Sequence, residues 1–295
     1  MTRKVLVVGA GVVGTATAFG LIDRGHDVTL VDIAEDRVSA LQRNGYQAVT
    51  PDDMNFDDVD VAFVCVPTPT DHGTGTDLAP VLAATQSIGE RIRTATRNFP
   101  VIAFRSTVPP GTVRQSLIPL LEETSGKSAG HQFGVVYNPE YLRAAHARED
   151  FLHPRAVTIA SLSENDRSHQ IVADIVSSFC ADIHWLPFEA AELQKYINNV
   201  GNAIKISTYN WFRLLADKCG LETEFIQRAF EISVLSAEGL WNPAYGTRDF
   251  GPYSGGCLPK DTLALLNFAS DLGVDTALIE ATQAVNGMWQ GTESA

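Results

Sequence analysis

The sequence predicts an α/β domain built on a parallel sheet, followed by an all-α domain. Three observations predict it. Short β-branched runs alternate with helical patterns along the first part of the 295-residue chain. A glycine-rich turn joins the first strand to the first helix. After about Phe188 the strand-like runs stop and helical patterns continue alone.

The elements follow in order. Lys4–Val8 reads as a strand, Val12–Arg24 as a helix, Asp27–Val31 as a strand and Glu35–Asn44 as a helix. Val59–Val66 is a buried strand, with a helix at Ala79–Thr94. Pro100–Phe104, Phe133–Tyr137, Ala156–Ala160 and Asp182–Leu186 are further strands; helices fall at Thr112–Glu123 and Asn165–Ser178. Strands separated by helices imply right-handed βαβ units and a parallel sheet. From Glu189 to Asp217 runs one helical pattern without proline, then helices at Thr223–Ser233, Thr262–Asp271 and Thr276–Met288. We place a boundary near 190, giving an α/β domain over residues 1–190 and a helical domain over 191–295. The stretch Trp241–Pro259 is rich in Gly, Pro and aromatics and too long for a simple turn, so a functional loop is expected there.

Composition narrows the function. Apolar residues make up 45% and charged residues 19%, which suits a folded core and excludes wholesale disorder. The net charge is −13, from 22 Lys and Arg against 35 Asp and Glu. Such a chain repels a phosphate backbone, so no nucleic-acid partner is expected. No apolar run approaches the ~18 residues of a membrane span, and Met1-Thr-Arg-Lys leads straight into a strand without a signal peptide. Cys65, Cys180, Cys219 and Cys257 have no CxxC spacing and no nearby His partner, so neither a disulfide framework nor a metal site is expected. The expected compartment is the cytoplasm. His26, His72, His131, His146, His153, His169 and His184 match no motif.

The turn after the first strand reads Gly9-Ala-Gly11-Val12-Val13-Gly14. This is the Rossmann dinucleotide fingerprint. Its first Gly permits the turn, its second admits the pyrophosphate, and its third lets helix pack on strand. Phosphates then meet the helix N-terminus, where free N–H groups and the dipole favour anions. Asp32 ends the second strand, eighteen residues after Gly14. A carboxylate there binds the adenosine ribose and repels a 2′-phosphate, so the expected cofactor is NAD.

Further motifs lie at the carboxyl ends of later strands, where open α/β sheets bind ligands. They are Val64-Cys-Val66-Pro67-Thr68-Pro69, Ser106-Thr107-Val-Pro-Pro-Gly-Thr112 and Asn138-Pro-Glu140-Tyr141-Leu142-Arg143. The long helix carries Ala191-Glu-Leu-Gln-Lys195-Tyr-Ile-Asn-Asn199, with Lys195 and Asn199 on one face. The irregular loop carries Gly255-Gly256-Cys257-Leu-Pro-Lys260-Asp261.

In this order the motifs make the chain resemble the UDP-glucose/GDP-mannose dehydrogenase family from Val5 to about residue 290. Its members oxidise the primary alcohol of a nucleotide sugar to a carboxylate with two NAD and a catalytic cysteine. The resemblance implies catalytic roles for Cys257, Lys195, Asn199, Asp261, Glu140 and Thr107. It implies cofactor contacts at Gly9, Gly11, Val12, Val13, Gly14, Asp32, Arg37, Val66, Pro67, Thr68, Ser106, Thr107 and Lys260. It implies substrate contacts at Tyr141, Leu142, Arg143, Lys195, Asn199, Arg248, Tyr253 and Gly256. Arg248 is similar to an arginine that some members lend to a neighbouring subunit's substrate.

The residue chemistry agrees. Hydride loss from an alcohol needs a base and stabilisation of a developing oxyanion. Lys195 and Asn199 can supply a cation and an amide donor. A thiol at Cys257 can attack an aldehyde, give a thiohemiacetal, and after a second hydride loss a thioester. Lys260 and the glycine-rich loop are expected to favour its thiolate.

Departures bound the substrate. The family's second acidic residue after the fifth strand is missing from Leu142-Arg143-Ala144-Ala145, and Ser254 stands near an expected Gly. Family members continue into a C-terminal α/β domain that grips the nucleotide, so a short form is expected here. Its substrate would be a sugar nucleotide, a nucleoside or a sugar phosphate. Two alternatives stand beside this reading: a single-step hydroxyacid-type dehydrogenase, and a non-catalytic NAD-binding relative. Apolar residues on several sides of the helix over 189–217, among them Ile197, Ile204, Ile206, Trp211 and Phe212, point to a homodimer.

Overall fold

A computed structural model describes residues 1–71, 75–95, 99–179, 182–247 and 252–288. Arg248, Cys180, His72 and the tail 291–295 lie outside the described residues. The chain forms two compact units, Met1–Asn199 and Val200–Ala295.

The first unit opens with β1 (Lys4–Val8), α1 (Val12–Asp23), β2 (Asp27–Val31), α2 (Glu35–Arg43) and β3 (Gln47–Val49). The chain then returns past β1 to β4 (Val61–Val64), α3 (Ala79–Thr94) and β5 (Val101–Phe104). A π-helical turn, Val113–Leu117, leads into α4 (Ile118–Ser125) and then β6 (Gly134–Tyr137). After α5 (Ala147–Leu152) come β7 (Val157–Ala160), α6 (Arg167–Val176) and β8 (Ile183–Leu186). The last long element, α7, runs Phe188–Lys218.

The described strands form one eight-stranded sheet in the order β3-β2-β1-β4-β5-β6-β7-β8. Alternate residues of each central strand feed opposite cores. Val5 and Val7 pack on one face, Leu6 and Val8 on the other. That is why these strands are apolar at every position. The order reverses between β1 and β4, which makes this the switch point where ligands bind.

Three features depart from the sequence expectation. First, β6 and β7 pair antiparallel, although every other paired strand runs parallel. The link between them holds a 3-10 turn, Ala144–His146, and the six-residue α5, about 9 Å long at 1.5 Å per residue. Too little helix is present to carry the chain back across the sheet. Second, β3 is three residues long and shows no periodicity of its own. Pairing with β2 through Thr29↔Gln47 and Val31↔Val49 makes it a strand. Third, no element is expected over 147–152, yet α5 forms there, and Ala147 and Phe151 sit one turn apart and are both buried. A Cβ on Gly20 of α1 would lie 2.2 Å from the Phe151 ring, so the glycine is what lets α5 reach α1.

The start of α7 belongs to this unit. Phe188 and Ala191 fill the core beneath the loop that follows β5. Glu192 is fully buried and accepts hydrogen bonds from the Gly111 amide (2.5 Å) and the Val113 amide (2.8 Å). It thereby satisfies N–H groups at the entrance to the π-helical turn, which have no intrahelical acceptor. Burial pushes its carboxyl above the ordinary range, and the two amides oppose that shift.

The second unit contains the rest of α7, then α8 (Thr223–Ser236), α9 (Glu238–Trp241), α10 (Leu258–Asp271) and α11 (Ala277–Met288). Its described core is small: Trp211, Leu215, Ala269 and Val274, with the Trp211 indole donating to the Asp275 carbonyl at 2.7 Å. Here α10 begins four residues before the expected Thr262. Pro259 sits in its first turn, where a missing N–H costs nothing, so the proline starts the helix. Among the described residues, no helix is long and apolar enough to cross a membrane.

Glu192→Ala would leave two buried amides without acceptors, at about 1–3 kcal/mol each. We expect a fall in unfolding free energy of that order by urea denaturation. An unchanged denaturation midpoint would contradict the clamp.

Candidate cofactor and active site

The glycine turn is built as its sequence requires. Gly9 has φ +95°, and a Cβ there would stand 2.9 Å from the Cys65 carbonyl oxygen. A Cβ on Gly14 would lie 1.7 Å from the Gly9 carbonyl oxygen. Both glycines are demanded by the protein's own packing. Gly11 is different: a Cβ there would meet nothing within 4 Å. Its lack of a side chain leaves an open cradle at the N-terminus of α1, where no side chain caps the first turn. Free amides facing an open cradle suit a pyrophosphate.

Asp32 closes the other side of the turn. One carboxylate oxygen accepts from the Ala10 amide at 2.8 Å, the other from the Ala34 amide at 3.0 Å. These bonds fix the carboxylate at the rim of the cradle. Arg37 donates to the Ala10 carbonyl from Nη2 at 2.6 Å and Nε at 3.1 Å, bracing the same turn from outside.

A cavity of about 800 Å³ extends from this turn along the carboxyl ends of β4, β5 and β6. Gly9, Gly11, Val12, Val13 and Asp32 line one part of it. Val66, Pro67, Thr68, Ser106, Thr107 and Glu140 line another. Two bonds tie the loops after β4 and β5 together: Ser106 Oγ donates to the Val66 carbonyl (2.6 Å) and Thr68 Oγ1 to the Thr107 carbonyl (2.8 Å). Ile33, Pro51, Met54 and Ala84 add an apolar wall that suits a flat base. Here the first unit brings together its predicted cofactor residues, save Gly14, which is packed against the Gly9 carbonyl, and Arg37, which stands outside.

The charged part of the site sits at the loop after β6. Glu140 accepts from the Leu142 amide at 2.6 Å and from Lys195 Nζ at 3.1 Å. Lys195 also donates to the Glu140 carbonyl and is only 3% exposed. An ammonium has three N–H donors, so one remains. The Tyr141 hydroxyl donates to Gln194 and bonds Thr158 at 3.1 Å. The Tyr141 ring lies under Lys195 Nζ, 5.5 Å from it. Asn199 is exposed and accepts from Asn198 at 3.1 Å. Arg143 is held by Asp150 through Nη2 (2.7 Å), Nε (3.0 Å) and its own amide (2.8 Å). This grip holds the Asp150 carboxyl down at about 2.

In the second unit, Cys257 is exposed and occupies the N-cap of α10, with no side chain capping that turn. Lys260 pairs with its neighbour Asp261. Gly255 has φ +84°, and a Cβ on Gly256 would meet nothing within 4 Å. The Tyr253 backbone is clamped by Asn286, whose Oδ1 accepts from its amide at 2.7 Å.

Several residues in these clusters escaped the sequence reading: Arg105, Asn138, Gln194, Asp150, Glu192 and Asn286. Asn138, Gln194 and Glu192 stood inside quoted motifs, where position alone did not separate them from their neighbours. Arg105 precedes Ser106 and carried one signal, a charge directly after an apolar strand. Asp150 and Asn286 carried none, because their partners are distant in sequence.

A doubly wound sheet with an anion cradle and a fixed carboxylate at its switch point defines a dinucleotide-binding protein. More narrowly, the chain belongs to the UDP-glucose/GDP-mannose dehydrogenase family. The family's NAD binding domain matches residues 45–179 and its central domain residues 189–288; a TrkA-N domain pattern matches residues 5–60. NAD is therefore the cofactor. The chain is 30% identical to a GDP-mannose 6-dehydrogenase of Pseudomonas putida, over 96% of this chain and 68% of that protein. It is 30% identical to a UDP-glucose 6-dehydrogenase of Rhizobium meliloti, over 96% and 67%. A ternary complex of GDP-mannose dehydrogenase from Pseudomonas aeruginosa superposes with a TM-score of 0.88 at 29% identity, covering 97% of this chain and 68% of that one. A UDP-glucose dehydrogenase from Pyrobaculum islandicum superposes with a TM-score of 0.72 at 29% identity, covering 98% and 68%.

Asp32→Ala removes the carboxylate at the cradle's rim. We expect NAD affinity to fall by about ten- to a hundredfold and the preference over NADP to narrow, as read by fluorescence titration. Unaltered affinity for both would remove Asp32 from the site.

Proposed function

We propose that the protein oxidises the primary alcohol of a nucleotide sugar, or of a smaller sugar or nucleoside phosphate, to a carboxylate in two NAD-dependent steps. The observation that carries the proposal is Cys257 at the N-cap of α10, inside the family's central-domain match. A single-step alcohol dehydrogenase has no use for a thiol there.

NAD, when bound, accepts the hydride. Lys195 supplies a buried positive charge toward a developing alkoxide, and Glu140 holds its Nζ in place. Asn199 offers an amide from the same helix. The alcohol loses its proton to a base and its hydride to the cofactor, leaving an aldehyde. The Cys257 thiolate adds to that carbonyl carbon and gives a thiohemiacetal. A second hydride loss gives a thioester. Water displaces the thiolate and releases the acid. Two NADH form per substrate, and the thiol is regenerated. A reducing compartment such as the cytoplasm suits an exposed free thiol in this role.

We further infer a homodimer through the second unit. Ile204, Ile206, Leu214, Phe225 and Leu235 are all more than half exposed there, and the described core beneath them is small. So much uncovered apolar surface points to a partner surface. A second copy provides one of matching chemistry.

Cys257→Ser should lower acid formation by about 10³-fold or more in an NADH-coupled screen of sugar nucleotides, nucleosides and sugar phosphates. Acid output equal to that of the unaltered protein would sink the thioester route. Light scattering should return a mass near twice 31.9 kDa. A value of one chain would overturn the dimer.

A further inference from the structure

Arg105 takes no part in the reaction above, yet it lines the cavity beside Cys65 and Glu140 and is only 6% exposed. A buried guanidinium is normally paired with a carboxylate, because an isolated buried charge is strongly disfavoured. Among the described residues, no carboxylate oxygen lies within 4 Å of it. Its one hydrogen-bonded partner is neutral: Nη1 donates to Asn138 Oδ1 at 2.6 Å. Asn138 is oriented for this, since its Nδ2 donates to the Thr158 carbonyl at 2.8 Å. Arg105 Nε is buried without a partner. The rings of Phe63 and Phe151 flank the cation at 5.8 and 5.5 Å, which holds it without cancelling its charge.

The neighbours do not compensate either. Glu140 is the nearby acid, and its carboxylate is already engaged by Lys195 and the Leu142 amide. Cys65 is buried, and burial pushes its thiol up to about 11, so it stays neutral at pH 7. Arg105 and Lys195 thus face one carboxylate, Glu140, at the ends of β5 and β6, an excess of one positive charge in that part of the site; the cavity's other carboxylate, Asp32, stands at the end of β2. An arginine cannot shed that charge at physiological pH.

The place of this charge gives it a function. Asp32 and the N-terminus of α1 account for the adenosine ribose and the pyrophosphate by the general rule for this fold. The cavity between β4, β5 and β6, where Arg105 lies, is left for the nicotinamide half. The oxidised ring carries a positive charge. Accepting a hydride, one hydrogen nucleus with two electrons, makes it neutral. A fixed cation nearby repels the first form and not the second.

We propose that Arg105 is an uncompensated cation that makes the site bind NADH more tightly than NAD, and so draws hydride from the alcohol toward the cofactor. It acts through its field on the cofactor and is a positioning charge. This role is independent of which alcohol the protein oxidises.

Dissociation constants for NAD, NADH and ADP-ribose test it without any substrate. The unaltered protein should bind NADH roughly tenfold or more tighter than NAD. Arg105→Met should bring that ratio close to one while leaving ADP-ribose affinity within about twofold. Arg105→Lys, which keeps the charge, should keep the ratio. Equal affinity for the two cofactor forms in the unaltered protein would overturn the proposal, whether or not Arg105→Met folds. So would an Arg105→Met protein that loses affinity for all three ligands alike and retains the ratio.

Discussion

Parallel strands end on the same side, and a crossover must return the chain before the next one begins. From β1 to β6 this constraint delivers each strand's outgoing loop to one edge of the sheet. The glycine turn leaves β1, Asp32 leaves β2, Cys65 and Thr68 leave β4, Ser106 and Thr107 leave β5, and Glu140 leaves β6. No loop has to be long to reach the others. The reversal between β1 and β4 opens the edge at one point, and the cavity forms there.

Loops that meet at an edge must also be held, and buried polar contacts do this. Ser106 and Thr68 stitch the loops after β4 and β5 to each other. Glu192 fastens the second of these to α7. One turn further along α7, Lys195 is fastened to Glu140. Cofactor loops and the buried lysine are thereby parts of one rigid arrangement. Ser106, Glu192 and Lys195 are nearly dry, which makes their contacts directional and their loss expensive.

An acidic chain holds its anionic ligands by local means. A net charge of −13 opposes a dinucleotide at long range, and salt screens that opposition beyond about 10 Å. Within that distance the uncapped N-terminus of α1, Lys195 and Arg105 set the field. Surface cations are spent otherwise: Arg143 is locked to Asp150, and Lys260 to Asp261. Arg143 therefore reaches a ligand only by giving up a bidentate partner.

Sequence alone determined the alternation of strands and helices, the dinucleotide turn, the choice of carboxylate at Asp32, and the family motifs. These are local signals: periodicity, glycines at fixed offsets, and short runs whose order survives without knowing the fold. Tertiary structure decided the rest. It made a strand of Gln47–Val49, a helix of Ala147–Leu152, and an antiparallel partner of β7. It started α10 at Leu258 and not at Thr262, and so put Cys257 at a helix N-terminus. It paired Arg143 with Asp150, buried Glu192 under two amides, and left Arg105 without a counter-charge. The reason is common to all of these. Each depends on what a residue meets across the fold, such as a free sheet edge, a glycine wide enough for a phenyl ring, or a carboxylate already taken by another cation. A linear pattern records the residue's type and neighbours, but not its distant partner.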